Sequence, residues 1–325
     1  MSGTVSCVGA GRMGRGIATV FAYAGYSVRV VDFKERSKVE FDRVAAEVKN
    51  EIKAILEILV RIGLMPGDTV PIVEQRVTVL PATEAAMGTS GVDLIFECLP
   101  EILELKRQQL ALISRSAAPQ TIIASTTSTI MVDDIAGAID HPDRFLNVHW
   151  LNPAYLVPLV EMSAGRRTSG ATVSSVRKLL EDMGKVPVLC ASRPGFIVPR
   201  IQGLAMNEAA RIVEEGVASA EDVEKAVKYG FGFRFGVLGL LEFIDWGGGD
   251  ILHFASKYLT EALEHPRYAS PEIVSRNVAE GRIGMKTRKG FLDYEGVDLE
   301  SYREQRLGEF AGVLRRMKLD RGPVV

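Results

Sequence analysis

The sequence predicts an α/β domain, a doubly wound and mainly parallel sheet with a projecting helical insert, followed by an all-α C-terminal domain. Three observations carry this reading. Short β-branched runs alternate with longer helical patterns through the first half of the chain. After SRPGFIVPR the pattern becomes almost wholly helical. At 325 residues the chain is also too long for one core of usual size, so two domains are expected.

The elements follow in order. TVSCVGA reads as a strand, RMGRGIATVFAYAG as a helix ending at Gly25, and SVRVVD as a second strand. Between this strand and RVTVL lies the insert Glu35 to Leu64. Its Phe41, Val44, Val48, Ile52, Leu56 and Leu59 fall at helical spacing, which predicts a long helix or a helix pair. RVTVL, DLIFECL, TIIAST, DRFLNVHW and VPLVEMSA are further strands, SSVRKLLEDMGK is a helix, and VPVLC is the last strand. The boundary is placed near Ser192, giving a nucleotide-binding domain over 1–191 and a helical substrate and dimerisation domain over 192–325. IQGLAMNEAARIVEEG, SAEDVEKAVKYG, ILHFASKYLTEAL and SPEIVSRNVAEG are its helices, and SAED supplies an N-cap with acids in the first turn. The tail VDLESYREQRLGEFAGVLRRM is an amphipathic helix suited to covering an apolar surface of its own chain or of a partner subunit.

A formal net charge of -2 gives no sign of a nucleic-acid or membrane partner. No apolar run approaches the roughly 20 residues of a membrane helix. Cys7, Cys98 and Cys190 lie far apart, with neither metal-ligand nor redox spacing, and read as buried thiols of a reducing compartment. MSGTVSCVGAG enters a strand at once and shows no export signal, so a cytoplasmic location is expected.

Residues 9–14 read Gly9-Ala10-Gly11-Arg12-Met13-Gly14, between a strand and a helix. Gly9 permits a tight turn, Gly11 lets the backbone approach a pyrophosphate, and Gly14 lets helix and strand pack closely. The helix N-terminus then offers free N–H groups to phosphates. Alone, such glycines also occur in ligand-free turns; here Asp32 closes the next strand, where an acid accepts from the adenine ribose. This is the pattern of a Rossmann-type domain. A carboxylate there repels a 2′-phosphate, which favours NAD over NADP, although Lys34 and Arg36 follow closely.

A second stretch, VHWLNPAYLVPLVEM, carries His149 and Glu161 inside an apolar run. A buried carboxylate is costly unless paired. Either the two pair as a catalytic base and its partner, or His149 is a satisfied core histidine and Glu161 a solvated strand end.

With these motifs in place, the chain resembles the 3-hydroxyacyl-CoA dehydrogenases. The markers are VGAGRMGRGIA, ECLPEILELK, ASTTSTI, HWLNP…LVEM, SRPGFIVPR, LLEFIDWGG and GMKTRKGFLDYEG, in that order, and the likeness runs up to FLDYEG. The resemblance implies hydride transfer between NAD and a secondary alcohol, most directly a (3S)-3-hydroxyacyl-CoA going to the 3-oxoacyl-CoA. By position it puts the base on His149 and its acidic partner on Glu161. It puts substrate-oxygen contacts on Ser128 and Asn152 and nicotinamide-side contacts on Glu101 and Lys106, and with the loop residues Gly9, Gly11, Arg12, Met13, Gly14 and Asp32 this completes the expected site. It also implies a homodimer, which the apolar run VLGLLEFIDW suits.

The sequence departs from the family at Pro199, where asparagine is usual, so one polar group on the substrate side is missing. The insert, too, shows mixed charges rather than a lysine cluster for CoA phosphates. Relatives of the same fold act on gulonate-type sugar acids, carnitine or a pyridine-carboxylate aldehyde, so a small hydroxy acid or aldehyde is the alternative substrate. Arg200 and Arg234 are then candidate carboxylate partners. A crystallin-like structural NAD-binding protein is a further alternative, against which the pair His149 and Glu161 argues.

Overall fold

The computed structural model describes residues 3–322. Eight strands form one sheet in the order β3-β2-β1-β4-β5-β6-β7-β8. They are β1 (Thr4–Val8), β2 (Ser27–Val31), β3 (Val77–Leu80), β4 (Leu94–Glu97), β5 (Ile122–Ser125), β6 (Phe145–Trp150), β7 (Leu159–Ala164) and β8 (Val186–Ala191). All neighbours run parallel except β6 and β7. The eight strand runs expected from the sequence are the eight strands formed.

The central strands read as continuous apolar runs because both faces of the sheet are covered. In β4, Leu94 and Phe96 join a core with Phe21 and Trp150, while Ile95 between them joins a second core with Leu110, Ile113 and Phe145. The period of two in a strand sends alternate residues to opposite layers. The long helices up to residue 214 are α1 (Arg12–Tyr23), α2 (Lys38–Arg61), α3 (Leu103–Ser116), α4 (Gly170–Asp182) and α5 (Val198–Glu214). The insert is one helix, α2, rather than a pair. Ser37 and Glu40 close its N-terminus as a reciprocal capping box. It buries Val44, Val48, Ile52, Ile55, Leu56 and Leu59, one stripe at i, i+4 spacing.

The chain divides into two compact units, Met1–Met206 and Asn207–Val325. The sheet ends at Ala191, where the sequence texture changes. Residues 192–206 stay with the sheet because Ser192 Oγ accepts from Val132 N–H and Glu161 accepts from the backbone of Ile197 and Val198. Among the described residues, the regular elements of the second unit are all helices. Ser219 caps its helix at Asp222 N–H, as the SAED pattern predicts. Buried Asp245 accepts from Phe291 and Leu292 N–H and from the Tyr294 hydroxyl, fixing the turn around GMKTRKGF. The tail helix Leu299–Arg316 covers its own unit, with Phe310 against Phe233 and with Tyr302 and Arg306 on Glu242. Among the described residues no helix is long and apolar enough to cross a membrane.

Candidate active site

β1 is the point where the strand order reverses: β2 and β3 lie to one side, β4 to β8 to the other. Ligands of open α/β sheets bind in the crevice at the carboxyl ends of such strands. Gly9 to Gly14 occupy that place. Gly9 has φ +121°, and its N–H donates to Val31 O at 2.8 Å. A Cβ on Gly9 would lie 2.5 Å from Cys98 O, and one on Gly14 would lie 1.9 Å from Gly9 O. The fold itself therefore demands both glycines. Gly11 is different: a Cβ there would meet nothing within 4 Å. No packing in the protein requires a glycine at that point, and the backbone lies bare toward the crevice. Gly11 is also the N-cap of α1, with no side chain capping the helix and no acid in its first turn. Free N–H groups, an uncovered backbone and a cavity of about 410 Å³ bounded by Gly9, Gly11, Arg12, Met13 and Asp32 fit a dinucleotide pyrophosphate.

The asymmetry among the glycines is testable. Gly11→Ala is expected to leave thermal stability unchanged and to raise the NADH Kd about tenfold or more. Gly14→Ala is expected to lower the unfolding midpoint itself. Fluorescence titration and thermal denaturation of both proteins separate the two effects.

Two further residues complete this end. Arg15 donates from Nε to Ala10 O at 2.8 Å and bonds Glu51 of α2, tying the loop to the projecting helix. Arg15 directly follows the Gly9–Gly14 pattern, which itself gives no signal for it. Asp32 is only 2 % exposed; its Oδ2 accepts from Arg36 Nε at 2.5 Å and its Oδ1 from Lys34 N–H at 3.3 Å.

At the carboxyl ends of β4, β5 and β6 a buried polar network holds the next part of the site. Glu97 Oε1 accepts from Lys106 Nζ at 2.8 Å and from Leu99 N–H at 2.8 Å, and Oε2 from Ser125 Oγ at 2.6 Å. Lys106 also donates to Leu99 O at 3.1 Å and lies 3.6 Å from Glu101. Its side chain is 1 % exposed, so it presents no surface to a ligand. The expectation of a direct cofactor contact by Lys106 does not fit this placement: the ammonium is held by carboxylates, because a buried charge is stable only when paired. Glu101 is the member that reaches the surface. One of its oxygens accepts from the Thr127 and Thr129 hydroxyls and from the N–H groups of Ser128 (3.1 Å) and Thr129 (3.0 Å). Burial pushes this carboxyl up, but the threonine hydrogen bonds and the Lys106 charge outweigh it and leave its pKa below the ordinary value. Glu101 thus organises the loop that carries Ser128. Glu97, which makes the network possible, carried no signal beyond being an acid at the end of an apolar strand.

His149 and Glu161 stand directly opposite each other in the antiparallel β6–β7 pair. Their register makes them cross-strand neighbours, and His149 Nδ1 lies 2.8 Å from Glu161 Oε2. Both are buried, at 6 % and 1 % exposure, so Glu161 is not a solvated strand end. Its other oxygen accepts from Ile197 N–H at 3.0 Å and Val198 N–H at 2.7 Å, at the start of α5. The two preceding residues make this possible. Gly195 (φ +75°) and Phe196 (φ +42°) both take left-handed backbone, which turns the following N–H groups onto the carboxylate. The buried Phe196 ring lies 6.1 Å from the imidazole and walls one side of it. Pro199 occupies the first turn of α5; Arg200 N–H is already taken by Gly195 O, so the proline leaves no orphan donor. Asn152 is exposed and Ser128 half-buried, both in loops that follow the carboxyl ends of sheet strands.

Cys7 and Cys98, distant in sequence, meet through the β1–β4 pairing. Hydrogen bonding to the Cys7 thiol, together with burial, pushes the Cys98 thiol up. Among the described residues no group of three or more His, Cys, Asp or Glu side chains could hold a metal ion.

The family model described as "3-hydroxyacyl-CoA dehydrogenase, NAD binding domain" matches residues 4–193, and that described as "3-hydroxyacyl-CoA dehydrogenase, C-terminal domain" matches residues 195–294. The chain belongs to the 3-hydroxyacyl-CoA dehydrogenase family. It is an NAD-dependent oxidoreductase acting on CH–OH groups. Among similar proteins, the human "Hydroxyacyl-coenzyme A dehydrogenase, mitochondrial" is 33% identical over 293 residues, 90% of this chain and 91% of that protein. "5-formyl-3-hydroxy-2-methylpyridine 4-carboxylate 5-dehydrogenase" of Mesorhizobium japonicum is 28% identical, over 96% of this chain and 97% of that protein. The solved 3-hydroxyacyl-CoA dehydrogenase of Archaeoglobus fulgidus superposes with a TM-score of 0.75 at 29% identity, covering 98% of this chain and all of the other. The last two likenesses take in most of the tail beyond residue 296, which the sequence motifs alone left unmatched.

Proposed function

We propose that this dehydrogenase of the 3-hydroxyacyl-CoA dehydrogenase family oxidises a (3S)-3-hydroxyacyl-CoA to the 3-oxoacyl-CoA, with His149 as the base. The contact between His149 Nδ1 and Glu161 at 2.8 Å carries the reading. With Nδ1 committed to the carboxylate, the ring nitrogen left for substrate is Nε2, and it takes the hydroxyl proton as the C–H bond breaks. Glu161 fixes the ring orientation and tautomer and balances the imidazolium that forms. It is itself held by two backbone donors, so it cannot swing away without leaving them unpaired. Ser128 and Asn152 are assigned to the substrate oxygen. Glu101 is assigned to the cofactor side, and Lys106 acts through it. Bound NAD supplies the hydride acceptor; the protein orients it and manages one proton.

The second reading keeps this chemistry and changes the substrate to a small hydroxy acid or aldehyde. Pro199 favours it: the first turn of α5 beside Glu161 carries a side chain with no polar atom. Salt bridges along α2, Lys38 with Asp42 and Arg43 with Glu47, also spend part of its positive charge internally. The deciding assay is NADH oxidation with acetoacetyl-CoA beside free acetoacetate and small oxo acids. Turnover of the thioester alone supports the first reading. Turnover of a free acid and not the thioester replaces it with the second.

We also propose a homodimer. Ile201, Leu204 and Met206 of α5 are exposed, as are Ile251, Phe254 and Tyr258 in the second unit, and apolar surface of this kind marks association. Sedimentation at micromolar concentration should show two chains; a single chain would reject it.

A further inference from the structure

A carboxylate at the end of the second strand discriminates against a 2′-phosphorylated adenine ribose only if its charge faces the ligand unopposed. Asp32 does not meet that condition. One of its oxygens accepts from the Arg36 Nε and the other from Lys34 N–H. Arg36 follows Asp32 by four residues and reaches back over it, with its guanidinium side chain 25 % exposed and that of Asp32 only 3 %. The guanidinium spends its Nε–H on Asp32 and retains the donors of its two terminal nitrogens, the fork that suits a phosphate.

The surrounding walls point the same way. Arg12, Arg15, Lys34 and Arg36 line the cavity at the phosphate loop, against the carboxylates of Asp32 and Glu47. Arg15 is held by Glu51, with Glu47 at 4.0 Å. Arg12, Lys34 and the outer face of Arg36 are then the cationic groups of a cavity wall in which Asp32 is already paired with Arg36. An NAD ribose needs acceptors for its hydroxyls and gains little from three cations; a phosphate on the 2′ oxygen gains from each.

We propose that the nucleotide site of this protein accepts NADP(H) as well as NAD(H), with Arg36, aided by Lys34 and Arg12, receiving the 2′-phosphate. The proposal rests on the crevice at Gly9 to Gly14 being the nucleotide site. It differs from the simple expectation of NAD preference, because that expectation takes Asp32 as a free charge.

The test is equilibrium titration of the full chain with NADH and with NADPH, followed by nucleotide fluorescence, for the unmodified protein and Arg36→Ala. The expected result is an NADPH Kd within about 30-fold of that for NADH. Arg36→Ala should raise the NADPH Kd about fivefold or more relative to the NADH Kd, since it removes the phosphate partner and frees Asp32. An NADPH Kd weaker than about 30-fold, or an Arg36→Ala protein that shifts both Kd values equally, overturns the proposal while leaving the NAD site intact. Binding of neither nucleotide would instead overturn the assignment of the crevice, and the proposal with it.

Discussion

His149→Ala is expected to lower kcat by about 10²–10⁴-fold, the range of a positioned general base, while the NADH Kd stays within about twofold. Glu161→Gln should approach the same loss. The amide keeps the shape of the side chain but offers a donor and an acceptor where two acceptors are used. It can satisfy either the imidazole N–H or the backbone of Ile197 and Val198, and in one of its orientations it holds the wrong tautomer. The pair acts as a unit, so His149→Ala with Glu161→Gln should cost little more than His149→Ala alone. Steady-state NADH oxidation with the best substrate, beside nucleotide titration, reads all three. Full turnover by His149→Ala would remove this residue from the reaction.

The second large effect is on stability. Lys106→Met should destabilise the protein by about 3–5 kcal/mol, because it leaves the Glu97 carboxylate buried and without its cation. Replacing both partners, Glu97→Leu with Lys106→Met, should recover much of that loss, since an apolar pair removes the uncompensated charge. The loop at Thr127 to Thr129 hangs on Glu101, which Lys106 supports at 3.6 Å. The double variant should therefore fold yet bind NADH more weakly. Urea unfolding and nucleotide titration on the same samples check both halves. Equal stability of Lys106→Met and the parent would show that the pair is not what holds these strand ends together.

The eight strands and their order of appearance were legible because a sheet covered on both faces leaves runs such as LIFE and FLNVHW with their flanking apolar residues, and these differ plainly from the 3.6-residue stripe of α2. The Gly9–Gly14 loop was legible for a related reason: Gly9 takes left-handed backbone and a Cβ on Gly14 would collide with Gly9 O, so both positions demand glycine. The partnership of His149 and Glu161 was only half legible. Twelve residues separate them, and the same spacing fits a solvated strand end as well; the antiparallel register of β6 and β7 is what sets one opposite the other.

The sequence by itself determined the alternation of strands and helices, the glycine turn at the carboxyl end of β1 and the presence of one histidine and one acid in an apolar stretch. These are local: they follow from side-chain periodicity and from φ, ψ limits on single residues. The tertiary structure alone decided which charges oppose one another. It turned Lys106 inward onto Glu97, closed Arg36 over Asp32, and brought the amides of Ile197 and Val198 to Glu161 across 36 and 37 positions of chain. A charge is read by its distance to its neighbours and by the water it loses. Those neighbours come from separate strands, helices and loops, so neither quantity exists until the chain has folded.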